Sequence, residues 1–336
     1  MRILNRLRPD NFTLALAGTV ALASVLPATG SWAQVLEKIT GCVIVLLFFL
    51  HGSKLSRPAI VAGIGHWRLH ALVTLTTFVF FPLLGWLLQP ILKMLLPQEL
   101  VRGVLFLCTL PATVQSAIAL TALARGNVPA AVCSASGSTL MGILLTPLLV
   151  TVLLAHTASS GNPLEAAGKI ALQLLLPFAI GHLLRPWTQG VLTRLGSKVK
   201  IVDQGSILLV VYAAFSGAVV AGLWKQLSWG AIALLLAVCA FILACSMAWC
   251  VWSSRKLGFS TADEATILFC GAQKSLVSGI PMAQVLFSAA AVGPMVLPVM
   301  LFHPMQLMVS AIIAARYERR PPSAPLAQAP APRQNI

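Results

Sequence analysis

Charge is what this chain has least of. Asp and Glu number only eight in 336 residues, and all charged types together make up 9%, against about 25% in soluble domains. So little charge cannot cover a water-soluble globule; the solvent of this chain is lipid. Alternating apolar and polar segments of about ten residues, the mark of a transmembrane barrel, do not occur. Nor does a glycine-rich phosphate cradle, which argues against an ATP-driven pump. The seven cysteines (42, 108, 133, 239, 245, 250 and 270) lie mostly in apolar runs and show no C-x-x-C or Cys/His metal spacing. They read as small core residues.

What is present is apolar: 58% of the residues are hydrophobic and the mean hydropathy is +0.90. Phe12–Pro27, Ala71–Leu88, Ala231–Val251 and Val292–Ala315 are each long or nearly long enough to cross a bilayer, which takes about 20 residues. The sequence predicts an all-α integral membrane protein. The opening "MRILNRLRPD" with "FTLALAGTVALASVLPA" and "SWAQ" resembles a secretory signal, but its apolar run is long for one and reads as a first transmembrane helix. The net charge of +15 is the excess expected of cytoplasmic loops, with membrane lipid as a partner and no nucleic acid.

Ten spans are predicted, near 12–28, 36–52, 69–90, 100–123, 128–155, 166–184, 203–223, 229–252, 264–287 and 293–316. The tail 319–336 is Pro/Ala-rich and expected to be disordered. With the N-terminus inside, the inner segments carry Arg2, Arg6, Arg8, Lys54, Arg57, Arg68, Arg125, Arg185, Arg194, Lys198, Lys200, Arg255, Lys256, Arg316, Arg319, Arg320 and Arg333, 17 in all. The outer ones carry 5: Lys38, Lys93, Arg102, Lys169 and Lys225. That asymmetry places both termini in the cytoplasm of a cell inner (plasma) membrane protein. Ten spans divide into 5+5, and an odd-numbered half that is duplicated inverts in the membrane. Residues 1–155 form one repeat and 166–316 the other. "LPATVQSAIAL" in span 4 and "CGAQKSLVSGIP" in span 9 are their matching polar clusters, and Pro147 and Pro304 recur in spans 5 and 10.

All eight acidic residues fall at segment ends or in loops: Asp10, Glu37, Glu99, Glu165, Asp203, Asp263, Glu264 and Glu318. That removes the commonest intramembrane proton or sodium site and the paired carboxylates of an aspartyl protease. Polar residues at mid-membrane gather in three places. Span 4 offers Thr109, Thr113, Gln115 and Ser116 around Pro111; span 5 offers Ser134, Ser136, Ser138 and Thr139; span 9 offers Gln273, Lys274, Ser275 and Ser278 among Gly271, Gly279 and Pro281. Proline and glycine free backbone groups that neighbours or a ligand must satisfy. Breaks in matching positions of two halves point to a binding site, although small residues also serve close helix packing.

Lys274 lies ten residues beyond Glu264 and thirteen before Phe287, roughly 15 Å or more from either end of its span. It cannot snorkel out, and its charge costs at least ~2.5–3.5 kcal/mol at the bilayer centre. It must face a cavity, titrate to neutral, or pair with backbone carbonyls or an anion. His303 is the other deep ionisable residue, either bonding a carbonyl freed by Pro304 or serving as a proton relay or substrate contact. His51, His66 and His70 read as interfacial or solvated.

The blocks "FFLHGSKLS", "LPATVQSAIALTALARGNVPAAVCSASGSTLMGILLTPLL" and "GAQKSLVSGIP…LPVMLFHPMQLMVSAIIA" resemble the bile acid:sodium symporter superfamily, in its solute-carrier-10 member-7-like branch, over nearly the whole chain. The resemblance implies a panel of spans 1, 2, 6 and 7, and a core of spans 3–5 and 8–10. Spans 4 and 9 are then unwound and cross at the substrate and ion site. Sodium-coupled members resemble ExGxQN in span 9, where the Glu and Gln serve two sodium sites. Gly271 and Gln273 match; Phe269 stands at the Glu position and Lys274 at the Asn. Against a span-4 pattern like PGGxxSN, Ser116 matches while Ala112-Thr113 and Ala117 depart, and Ser138 and Thr139 match hydroxyl ligands. A sodium ion would thus sit near Ser116, Thr139 and Gln273. With the carboxylate missing, a proton, or the Lys274 ammonium in the place of sodium, becomes an alternative.

The expectation is therefore a secondary transporter of a small organic anion, not an enzyme and without a bound cofactor. A non-transporting membrane regulator or scaffold is one alternative, and a fully sodium-coupled symporter using the remaining polar ligands is another. A homodimer is left open.

Overall fold

The computed structural model describes residues 11–54, 65–154, 163–226 and 228–319. Arg2, Arg6, Arg8, Arg57 and the tail beyond Arg319 lie outside the described residues. Among the described residues all regular structure is helical. In chain order the helices are α1 (Asn11–Val25), α2 (Gly30–Lys54), α3 (Trp67–Leu95), α4 (Gln98–Thr109), α5 (Gln115–Leu123), α6 (Val128–Leu154) and α7 (Pro163–Leu183). They continue as α8 (Arg185–Leu195), α9 (Ser197–Val220) and, beyond a single helical turn at Leu223–Gln226, α10 (Trp229–Lys256), α11 (Thr261–Gly271), α12 (Leu276–Leu286) and α13 (Ala289–Glu318).

Among the described residues six helices are long and apolar enough to cross a membrane: α2, α3, α6, α9, α10 and α13. Shorter apolar stretches lie in α1 and α7. Predicted spans 4 and 9 each fold as two half-helices, α4 with α5 and α11 with α12, so neither half reaches a spanning length alone. The outer surface carries large apolar side chains such as Trp229 (87% exposed), Met94 (86%) and Val25 (77%). In water such a surface would aggregate; acyl chains solvate it.

Several boundaries differ from the sequence reading. Helix α2 begins at Gly30, six residues before the predicted span. Residues 185–195, read as loop, form α8, a helix with no buried residue. Its sequence is too short and too charged to show as a span, but Pro186 suits a first helical turn. Gly196, at φ 47°, then turns the chain straight into α9. Consequently α9 starts six residues earlier than predicted, and Asp203 sits inside a helix instead of at its edge.

Packing relies on close backbone approach. A Cβ at Gly52 of α2 would run into the carbonyl of Phe178 in α7, and one at Gly181 of α7 into that of Phe49 in α2. Ser53 Oγ donates across the same crossing to Gly181 O at 3.0 Å. Helix α9 packs on α1, α2, α12 and α13; α13 packs in turn on α4, α10 and α12. A π turn at Thr76–Phe80 interrupts α3. There Trp249 of α10 donates to Thr76 Oγ1 at 3.2 Å and stacks on Phe80, ring centroids 4.9 Å apart.

Candidate functional site

The break between α4 and α5, residues 110–114, leaves carbonyls at the end of α4 without helical partners. Buried backbone groups must be paired, and here each one is traceable. Phe106 O accepts from Thr109 Oγ1 at 2.8 Å, and Leu107 O from Leu110 N at 3.3 Å. Thr109 O accepts from Thr146 Oγ1 of α6 at 2.9 Å. The Lys274 ammonium donates to Cys108 O at 3.1 Å and Leu110 O at 2.7 Å, and across to Thr77 O in the π turn of α3 at 2.9 Å. Its Nζ also lies 4.0 Å from the ring centroid of Phe81. Ser138 Oγ of α6 accepts from Ala112 N at 3.0 Å.

The second break, residues 272–275 between α11 and α12, meets the first directly. Ser275 N donates to Pro111 O at 2.8 Å. A Cβ at Gly279 would lie 2.6 Å from Leu110 Cδ1, and one at Gly142 2.6 Å from Pro111 Cβ. Both glycines keep the crossing tight. Gln306 of α13 clamps the Lys274 peptide: its Oε1 accepts from Lys274 N and its Nε2 donates to Lys274 O, each at 2.8 Å. The same Nε2 contacts His303 Nδ1 at 3.0 Å. Gln273 Oε1 accepts from Thr113 Oγ1 at 2.6 Å and Ser116 Oγ at 3.0 Å, while its Nε2 donates to Ser310 Oγ at 3.2 Å.

Beside this crossing lies a cavity of about 260 Å³. The half-helices and α6, α13 contribute Thr113, Val114, Gln115, Ser116, Ser136, Thr139, Ser275, Val277, Ser278, His303 and Leu307; α1, α2, α7 and α9 contribute Phe12, His51, Lys54, Phe178, Asp203, Gln204 and Ile207. The predicted residues therefore divide. Thr113, Gln115, Ser116, Thr139, Ser275, Ser278 and His303 line the cavity. Gln273, Lys274 and Ser138 do not: they are buried behind the wall and hold the breaks together. Of the three resolutions open to Lys274, pairing with backbone carbonyls is the one adopted; it is fully buried and is not among the residues lining the cavity at the crossing. The reason is geometric, since the unwinding at 272–275 turns the side chain toward the open end of α4.

Three other expectations change. Pro111 and Gly271 stand at breaks, but Gly279, Pro281 and Pro304 lie within intact helices. A proline is tolerated in a buried helix whose neighbours shield the freed carbonyl. A carboxylate does stand at the cavity: Asp203 is 8% exposed and pairs with Lys54 Nζ, because α9 starts early. His51, expected to be solvated, lines the same cavity, with Nδ1 donating to Leu47 O at 2.7 Å. Phe269, at the position of the family carboxylate, is fully buried against Tyr317.

Sequence reasoning missed Gln306, Ser310, Lys54 and Asp203. For the first two a signal existed: His303, Gln306 and Ser310, spaced three and four residues apart, form one polar stripe on an apolar helix.

Comparison with known proteins shows what the chain is similar to. An uncharacterized protein of Pseudomonas aeruginosa, PA2026, is 58% identical over 327 residues, covering 97% of this chain and 98% of that one. YfeH of Escherichia coli (strain K12), whose name marks it as a candidate symporter, is 52% identical over 311 residues, 93% of each chain. Sodium/bile acid cotransporter 7 of Rattus norvegicus is 26% identical over 320 residues, 93% of this chain and 94% of the rat protein. A family profile matches residues 10–319. On that match, and as a multi-pass membrane protein built for transport, the chain belongs to the SBF-like CPA transporter family.

Proposed function

We propose that the chain is a secondary transporter of the cell inner (plasma) membrane, carrying a small organic anion by alternating access. One observation supports it above all: two broken helices touch backbone to backbone, Ser275 N to Pro111 O at 2.8 Å, beside a cavity lined by both polar and apolar side chains. Spans 1, 2, 6 and 7 (α1, α2, α7 and α9) form the panel, and the remaining spans form the core. Residues 1–155 and 166–316 are inverted repeats, with both termini cytoplasmic. The panel rocks against the core, and since both contribute wall, the motion opens the cavity to one side and then the other.

The Lys274 ammonium serves as a resident cation. It occupies the carbonyl cage at the end of α4, a helix terminus of negative partial charge that in transporters attracts sodium. Transport then needs no sodium at that position. The name of the rat relative, a sodium/bile acid cotransporter, supports an organic anion as cargo and leaves the ion to be tested. A second, sodium-coupled reading rests on Thr113, Ser116 and Gln273, whose side-chain oxygens converge within 2.6–3.0 Å. The anion reading is tested by screening organic acids and sterol sulfates for thermal stabilisation of the purified protein. Stabilisation by a subset of these acids is expected; stabilisation by none of them, with uncharged solutes effective instead, contradicts it.

A further inference from the structure

The block "FFLHGSKLS" closes α2 and supplies Gly52 and Ser53 to the crossing with α7. Two of its side chains, His51 and Lys54, reach the central cavity from α2. Lys54 Nζ donates to Asp203 Oδ2 of α9. The other carboxylate oxygen, Oδ1, is buried with no hydrogen-bond partner. Contrast the Arg255–Glu264 pair, which uses two parallel N–H···O bonds at 2.8 and 3.1 Å, the stronger bidentate form. Asp203 holds Lys54 through one oxygen only.

Among the described residues that line the cavity, Lys54 is the one permanent cation, because Lys274 is sealed behind the wall. Lys54 also lines a neighbouring cleft of about 280 Å³ together with Arg185, Gln189 and Thr193. One ammonium therefore stands at the partition between a cleft with a second cation and the cavity at the helix crossing.

We propose that Lys54 is the anion subsite of the cavity, taking the carboxylate of a small amphipathic organic acid, and that Asp203 fills this place until the substrate arrives. The proposal rests on, and deepens, the anion-transport reading. Exchange of one carboxylate for another keeps the Lys54 ammonium paired throughout, and with its side chain 32% exposed it stays within reach of an entering acid. Phe12, Phe178, Ile207 and Leu307 offer apolar wall for the body of the acid. Thr113 and Ser116 line the same cavity from the first break and the start of α5.

The test measures affinity of the purified full-length protein for butanoate, hexanoate, octanoate and benzoate, each against its primary amide. Wild type prefers the carboxylate. Lys54→Met loses the preference and about tenfold or more in carboxylate affinity, Lys54→Arg keeps the preference, and Asp203→Asn binds carboxylates more tightly because the competitor is gone. A Lys54→Met protein with an intact melting transition and wild-type carboxylate affinity overturns the subsite while the anion-transport reading stands. Where Lys54→Met does not fold, Asp203→Asn decides, and unchanged affinity overturns the proposal. A wild type without any carboxylate preference overturns both.

Discussion

The Lys274 ammonium lies 2.7 Å from the carbonyl oxygen of Leu110, at the open end of the half-helix α4. Two further carbonyls, of Cys108 and Thr77, complete its surroundings at 3.1 and 2.9 Å. A helix C-terminus carries about half a negative charge, so a cation there offsets what the break exposes. The lysine answers the question that its position in an apolar span poses. It is the partner that lets α4 stop in mid-membrane.

Replacing it therefore tests structure first. Lys274→Met removes three hydrogen bonds and leaves buried carbonyls unpaired, at about 1–3 kcal/mol each. Relief of the buried ammonium's desolvation offsets part of that, and a net loss of about 2–4 kcal/mol remains. Thermal melting in detergent should show a lower midpoint. A wild-type midpoint would mean that the carbonyls find other partners.

Gln306 holds the Lys274 peptide by two bonds of 2.8 Å. Gln306→Leu should destabilise by about 1–3 kcal/mol, the cost of orphaning buried backbone groups. Hydrogen exchange of residues 272–275 should rise in the variant. Unchanged exchange there would remove Gln306 from the support of the break.

The crossing of α2 and α7 has no room for a side chain at Gly52 or Gly181. Gly181→Val should lower the yield of monodisperse protein and its melting midpoint, since overpacking typically costs about 1–3 kcal/mol. Gly18→Val, where nothing lies within 4 Å of the added Cβ, serves as the control and should be neutral.

Ser138 accepts the one hydrogen bond seen for Ala112 N inside the first break. Ser138→Ala should cost about 1–2 kcal/mol and slow transport by loosening the crossing, while Ser138→Thr keeps the acceptor and should retain more activity. Equal transport by the two variants would show that the hydroxyl has no positioning role.

Much of this site can be read from the residues. Pro111 beside a Gln/Ser cluster, and a lysine in mid-span, mark the two breaks without any structure, because backbone freed in lipid has to find partners. The directions of side chains cannot be read this way. Lys274 and Ser275 are neighbours in sequence, yet one is sealed among carbonyls and the other lines the cavity, since the chain between α11 and α12 is not helical and obeys no face rule. Gln306 lies 32 residues beyond Lys274, and only folding brings it back. Lys54 and Asp203 escaped notice for another reason. Polar residues at span ends look solvated until the helix is found to start earlier, as α9 does at Ser197.

The claim that a lysine stands in for sodium is tested most directly by transport. Initial uptake of a carboxylate that stabilises the protein is measured in proteoliposomes, with external sodium replaced by choline at matched pH and osmolarity. The ammonium of Lys274 predicts undiminished rates in choline. Strict dependence of uptake on sodium would contradict it.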